Sequence, residues 1–229
     1  MNREDYKIHI VGAGISGLIA AKTLESQGYK PVVIEATDST GGRVKTDLVE
    51  GYQLDHGFQV LLDAYPKAKE HLDFDALEIQ EFLPGATIFC KGKKTTIGDP
   101  LRNLSLLFPT LTSSVGNFSD KLKILKLNKE LKKKSIASIF DTESFSTIYY
   151  LETRGFSNKI IQQFFKPFFS GIFLEPDLNT SSRMFEFVYK MFGEGLAVLP
   201  KSGIGAISEQ LKQQLKNTEF IFNTEVEVV

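Results

Sequence analysis

The sequence predicts an α/β protein with a second, α+β segment inserted into it, and three stretches predict this. Residues 8–35 read as strand, helix and strand. Residues 63–198 break that pattern with short strands, a lysine-rich helix and phenylalanine-rich helices. Residues 199–229 then return to a helix followed by a β pattern. The domain boundaries expected from this are 1–62 plus 199–229 for a discontinuous first domain, and 63–198 for the insertion.

The opening unit carries the most information. Ile8, Ile10 and Val11 make a short apolar strand, Gly12-Ala13-Gly14 a turn, and Ile15, Leu18, Ile19 and Leu24 the apolar face of a helix that Gly28 ends. Pro31 to Ile34 begin a second strand that runs into Glu35. GAGISG thus stands between strand and helix, where the Rossmann dinucleotide fingerprint requires it. Gly12 lets the chain turn sharply out of the strand. Gly14 lets a pyrophosphate approach the backbone, and Gly17 lets the helix pack closely on the strand. The phosphates would rest on Ala13, Ile15 and Ser16 within that loop, at the N–H-rich, positive end of the helix. Glu35, about 18 residues past Gly17, is spaced for the acid that binds ribose hydroxyls. A glycine-rich turn of some other α/β protein is the competing reading.

Immediately after Glu35 comes ATDSTGGR, which opens with Ala36 and ends on Gly41, Gly42 and Arg43. They predict a second backbone segment against the cofactor, with a cation for phosphate. The motifs GAGISG, EATDSTGGR and LDHGFQVL, and later PKSGIGAISEQL with FNTEVEVV, resemble the flavin-containing amine oxidase superfamily, which includes phytoene desaturases and protoporphyrinogen oxidase. The resemblance implies FAD as cofactor, and implies that Gly57 and Phe58 line the flavin and that a backbone group near Val226 meets the adenine. Thr37 and Ser39 stand where that family commonly carries arginines. The Asp55-His56-Gly57-Phe58 segment is closer to the desaturases than to the amine oxidases.

Composition excludes several classes. Lys and Arg number 27 against 28 Asp and Glu, so no global basic field supports a nucleic-acid partner. Cys90 is the single cysteine, which excludes an internal disulfide and fits a reducing, cytoplasmic setting; it reads as a small apolar filler. Glu4 and Asp5 precede the first apolar run and Gly-Ala-Gly interrupts it, so that run is read as strand and helix, not as a secretory leader. No apolar stretch reaches the ~18 residues of a membrane span. His9, His56 and His71 show no metal-ligand spacing. His9 reads as structural, and His56 is the one weak catalytic candidate.

In the insertion, Ala86–Cys90 and Thr95–Ile97 are expected as a hairpin joined by Lys91-Gly92-Lys93-Lys94. Residues 120–134 are expected as a basic helix, started by Asp120 and ended by lysines, with apolar Leu122, Ile124, Leu125, Leu127 and Leu131. Two readings stand for it: a solvated amphipathic helix packed on its own domain, or a peripheral membrane contact. Phe140, Phe145, Phe156, Phe164, Phe165, Phe168, Phe169, Phe173, Phe185, Phe187 and Phe192 are read as core, or as walls of a cavity for a large apolar substrate. Arg154, Lys166 and Arg183 among them would meet a substrate carboxylate or form surface ion pairs.

Gly203 and Gly205 are read as opening a helix through Leu215, and Phe220–Val229 as a strand. That β pattern ends at Val228-Val229, and the resemblance implies a further C-terminal part, in the full-length chain or supplied by a partner. The function expected is FAD-dependent oxidation, with hydride passing from an amine, or from a lipophilic polyene- or porphyrinogen-like small molecule, to flavin. The alternatives are an NAD(P)-dependent reductase, an inactive fragment, and a non-catalytic binding protein that keeps the fold without the chemistry, as the similar Rab GDP-dissociation inhibitors do.

Overall fold

The computed structural model describes residues 3–56, 60–90, 92–98, 105 and 113–227. After a 3-10 turn (Arg3–Asp5) come strand β1 (His9–Val11), helix α1 (Ile15–Ser26) and strand β2 (Val32–Ile34). Strands β3 (Thr46–Val49), β4 (Tyr52–Asp55) and β5 (Leu61–Leu62), helix α2 (Pro66–His71) and strand β6 (Gln80–Glu81) follow. The hairpin strands β7 (Gly85–Cys90) and β8 (Lys93–Gly98) precede helices α3 (Phe118–Lys133), α4 (Ile136–Phe140) and α5 (Thr147–Thr153). Next come α6 (Asn158–Ile160), a π-helical turn over Ile161–Phe165, α7 (Lys166–Phe173) and α8 (Ser182–Glu194). Strand β9 (Ala197–Leu199), helix α9 (Ala206–Gln214) and strand β10 (Glu219–Ile221) complete the order.

Two units emerge, Met1–Glu81 with Val198–Val229, and Phe82–Ala197. The stretch 63–81, assigned above to the insertion, therefore belongs with the first unit. The reason is apolar packing: Leu77 is buried, and Leu72, Phe74 and Ile79 pack against the same cluster as Leu18, Ile204, Ile207 and Leu211.

In the first unit, β1, β2 and β10 form a parallel sheet with β2 central. Val33 at its middle is fully buried, as a parallel strand covered on its faces requires. α1 is the crossover from β1 to β2, and Leu18 and Ala21 bury its inner face. β10 is shorter than the expected Phe220–Val229. Asn223 takes φ +53°, and the N–H groups of Asn223 and Thr224 donate to Thr37 O and Glu35 O, which turns the chain across the end of β2.

The second unit is organised by aromatic packing. Phe165, Phe169 and Phe185 are at most 1% exposed, and the Phe169–Phe185 ring centroids lie 4.7 Å apart. Burying each such ring contributes about 1.5–3 kcal/mol, so these phenylalanines are core. Phe140 and Phe145 at the edge are 40% and 42% exposed. The hairpin is tighter than expected: Cys90 pairs with Lys93, so Lys93 and Lys94 are strand residues. The spacing in 160–165 reads as helix, and the structure widens it to a π-turn in which Lys166 N–H reaches back to Ile161 O. Pro167 follows, with no N–H to continue an α-helical ladder and a ring that crowds the carbonyl four residues back. α3 is held at its start by a capping box between Asn117 and Asp120.

Candidate functional site

The β1–α1 turn is shaped by its glycines. Gly12 has φ +93°, and its N–H donates to Ile34 O at 2.8 Å, fixing the turn to the end of β2. A Cβ added at Gly17 would stand 2.0 Å from Gly12 O, so the helix can approach this closely only without a side chain there. A Cβ at Gly12 or Gly14 would meet nothing within 4 Å. The loop thus faces open space at the start of α1, whose N-cap, Gly14, has no side chain to close it. Ala13 is fully buried beneath it, and Ile15 and Ser16 begin the first helical turn.

A second segment lies on this loop. Gly41 N–H donates to Ala13 O at 2.9 Å, Gly14 and Gly41 form a parallel bridge, and a Cβ at Gly42 would stand 3.5 Å from Gly14 Cα. Gly41 at φ +124° and Gly42 at φ +57° occupy backbone conformations that glycine tolerates. Arg43 beside them is exposed.

Glu35 completes the group. It leaves the end of β2 with its N–H donating to Ile221 O at 2.8 Å. Ala13 N–H donates to its Oε2 at 2.7 Å, and Thr37 donates to its Oε1 from both N–H, at 2.9 Å, and hydroxyl, at 2.8 Å. Burial pushes its pKa upward, but these donors outweigh that and hold the carboxyl below the usual carboxylate range. Ala36 N–H favours the charged carboxyl as well, so Glu35 is held from both its oxygens. The Thr37 hydroxyl also lies 3.0 Å from Ser39 O, so its rotation would release Oε1.

The structure therefore gathers Gly12, Ala13, Gly14, Ile15, Ser16, Gly17, Glu35, Gly41 and Gly42. Ala36 is exposed next to Glu35, and Val226 is half-buried, two residues past the Thr224 N–H that donates to Glu35 O. Gly57 and Phe58 lie outside the described residues. His56 is paired through Nε2 with Asp47 Oδ2 at 2.7 Å on the β3–β4 hairpin, with its side chain 43% exposed. Arg154 pairs with Glu130 at 2.6 Å and stacks 4.6 Å over the Tyr150 ring, and Lys166 pairs with Asp177 at 3.4 Å. Arg183 keeps a buried Nε that no described group satisfies.

Sequence reasoning missed two contributors. In the sequence Thr37 reads only as a departure from arginine, yet it braces Glu35. Asp55 accepts from Thr46 Oγ1 at 2.5 Å and from Ile204 N–H at 3.0 Å, while Gly205 N–H donates to Thr46 Oγ1 at 2.8 Å. These bonds tie the start of α9 to the hairpin. The glycines at 203 and 205 were the available signal, since a Cβ at either would collide with Thr46.

Comparison with known proteins is consistent with this geometry. The family model of flavin-containing amine oxidoreductases matches residues 15–229. An L-amino-acid oxidase of Trimeresurus stejnegeri is 31% identical over 156 residues, covering 64% of this chain and 30% of the oxidase. Protoporphyrinogen oxidase 2, chloroplastic/mitochondrial, of Arabidopsis thaliana is 29% identical over 171 residues, covering 72% and 32%. Among solved structures, an oxidoreductase from Methanosarcina mazei superposes with TM-score 0.67 at 22% identity, over 95% of this chain and 51% of its own. A putrescine oxidase bound to putrescine gives TM-score 0.59 at 21% identity, over 96% and 51%. The chain spans about a third of the length of these curated relatives and about half that of these solved structures. With the family model matching nearly its whole length, this chain belongs to the flavin-containing amine oxidoreductase family.

Proposed function

We propose that the first unit holds FAD and that the protein is an FAD-dependent oxidoreductase acting on an amine or on a lipophilic polyene- or porphyrinogen-like small molecule. The observation that carries this reading is the open space before Gly12 and Gly14, beside a buried Glu35 held as a carboxylate. These features fit a dinucleotide: a pyrophosphate needs close backbone approach, and a ribose needs an anionic acceptor. The Gly41–Gly42 segment laid on the loop favours FAD over NAD(P) as the occupant, since it adds a second stretch of backbone to the cradle.

In this reading the N–H groups around Gly14, Ile15, Ser16 and Gly17 bind phosphate, Glu35 accepts from ribose hydroxyls, and Arg43 supplies a cation to phosphate. Gly57 and Phe58 line the flavin, and the backbone near Val226 meets the adenine. When bound, FAD supplies the acceptor for a hydride equivalent from a substrate C–H or C–N–H unit. We assign substrate recognition to the second unit. The names of the amino-acid, putrescine and protoporphyrinogen oxidases to which the chain is similar support the amine and porphyrinogen-like members of this range.

The test is anaerobic addition of amines, polyenes and porphyrinogens to the flavin-loaded protein, following the oxidised-flavin band near ~450 nm. Bleaching by one class identifies the substrate. Retained flavin with no bleaching by any class would instead support a binding protein without redox chemistry.

A further inference from the structure

The fold gives α3 two apolar faces, and only one of them meets the core. Leu127 and Leu131 are 1% exposed, with Ile124 packed beside them, and this face carries the helix onto the aromatic cluster. Phe118, Leu122 and Leu125 point the other way and are 73%, 52% and 57% exposed. Their spacing of four and three residues puts them on one stripe, opposite the buried face. Lys126, Lys129, Lys132 and Lys133 are exposed along the outward half of the helix, with Lys129 in line with the stripe. The two acids of α3 lie off the stripe: Asp120 is buried in the capping box, and Glu130 pairs with Arg154 at 2.6 Å and with Lys126 at 3.9 Å, which leaves Lys129, Lys132 and Lys133 as the outward cations with no acid of α3 beside them.

A solvated helix gains nothing from three large apolar groups on its outer face. An outward stripe of Phe and Leu among lysines, with no acid, is complementary in both charge and polarity to an anionic bilayer surface. There the apolar side chains enter the headgroup boundary while the lysine stems extend along it and keep their charges at the phosphates. We propose that the outward face of α3 docks the protein on anionic lipid. This rests on α3 alone and is independent of flavin binding.

The experiment is co-sedimentation of the full chain with phosphatidylcholine vesicles, with and without phosphatidylglycerol. Binding is expected to the anionic vesicles only and to weaken as salt rises from about 0.05 to about 0.5 M. Each lysine near an anionic surface contributes about fivefold in partitioning, so Lys129→Gln with Lys133→Gln should weaken it about 25-fold. Leu122→Ser with Leu125→Ser should weaken it at least tenfold, with an unchanged far-UV circular dichroism spectrum because both sites are exposed. Three results would overturn the proposal. They are no sedimentation with anionic vesicles at low salt, equal sedimentation with neutral ones, and wild-type binding by the leucine variant. Capture by soluble polyglutamate with the same dependence on Leu122 and Leu125 would also overturn it, in favour of an acidic protein partner.

Discussion

Gly14 and Gly17 are three residues apart in one motif, yet the structure predicts opposite consequences for the same substitution. Gly14 has φ −71° and ψ 176°, open to any residue, and an added Cβ meets nothing within 4 Å. Gly14→Ala should therefore fold as the parent does. Its methyl group would project into the space assigned to the pyrophosphate, and relieving such overpacking costs roughly 1–3 kcal/mol. FAD affinity should then fall about 5- to 150-fold. Gly17→Ala instead drives a Cβ to 2.0 Å from a backbone oxygen that a hydrogen bond to β2 holds in place through the same residue. Because the obstacle is backbone, the cost should sit at the upper end of that range. For a chain of this size, 3 kcal/mol lowers Tm by about 6–12 °C. Thermal unfolding by circular dichroism and an FAD fluorescence titration on both variants separate the two effects. Gly14→Ala binding FAD like the parent would refute the cradle. An unchanged Tm for Gly17→Ala would refute the helix–turn packing.

Three further outcomes follow from the same geometry. Asp120 accepts from Asn117 N–H, Ser157 N–H and Ser157 Oγ while 1% exposed. Asp120→Ala should cost roughly 1–3 kcal/mol by removing the shared acceptor of three part-buried donors, read as a lower denaturant midpoint; a change within 0.5 kcal/mol, about the scale of a surface substitution, would contradict it. Glu25, Glu35 and Asp120 are each pushed upward in pKa by burial, but hydrogen-bond donors outweigh this and hold their folded values below ordinary ones. Their stabilisation is therefore present in full above the unfolded values near 4.5 and 3.8 and is lost as pH falls through the folded ones. Urea midpoints should hold from neutrality to about pH 5 and then drop, and a flat profile down to pH 3 would contradict this. His56→Ala removes one exposed hydrogen bond to Asp47, worth about 1 kcal/mol, and should leave FAD affinity within about twofold. A tenfold loss would return His56 to the site.

The glycine loop and Glu35 were legible because spacing alone dictates their backbone geometry. Gly17 must lack a Cβ wherever a helix starts this close to a strand, and an acid at the end of β2 must return to the loop. Asp120 was legible as a helix start for the same local reason, although its bonds to Ser157 were not. The destination of residues 63–81 was hidden, because Leu72, Phe74, Leu77 and Ile79 announce burial without naming the core that buries them. α3 shows the same limit. Its leucines occur on both faces, so periodicity could not say that Leu127 and Leu131 turn inward while Leu122 and Leu125 turn out. The tie from Asp55 and Thr46 to Gly203-Ile204-Gly205 spans some 150 residues, and no local pattern encodes such a pairing.

The central claim is that these residues form an FAD cradle, and ligand-dependent thermal stability tests it most directly. The purified chain, stripped of bound nucleotide, would be melted with excess FAD and, separately, with excess NAD. At a hundredfold excess over Kd, binding to the native state alone adds about 2.7 kcal/mol, or about 5–11 °C for a chain of this size. The account predicts a shift of that order with FAD, absent with NAD and reduced in Gly14→Ala. No shift with FAD at saturation, or a shift with NAD alone, would contradict it.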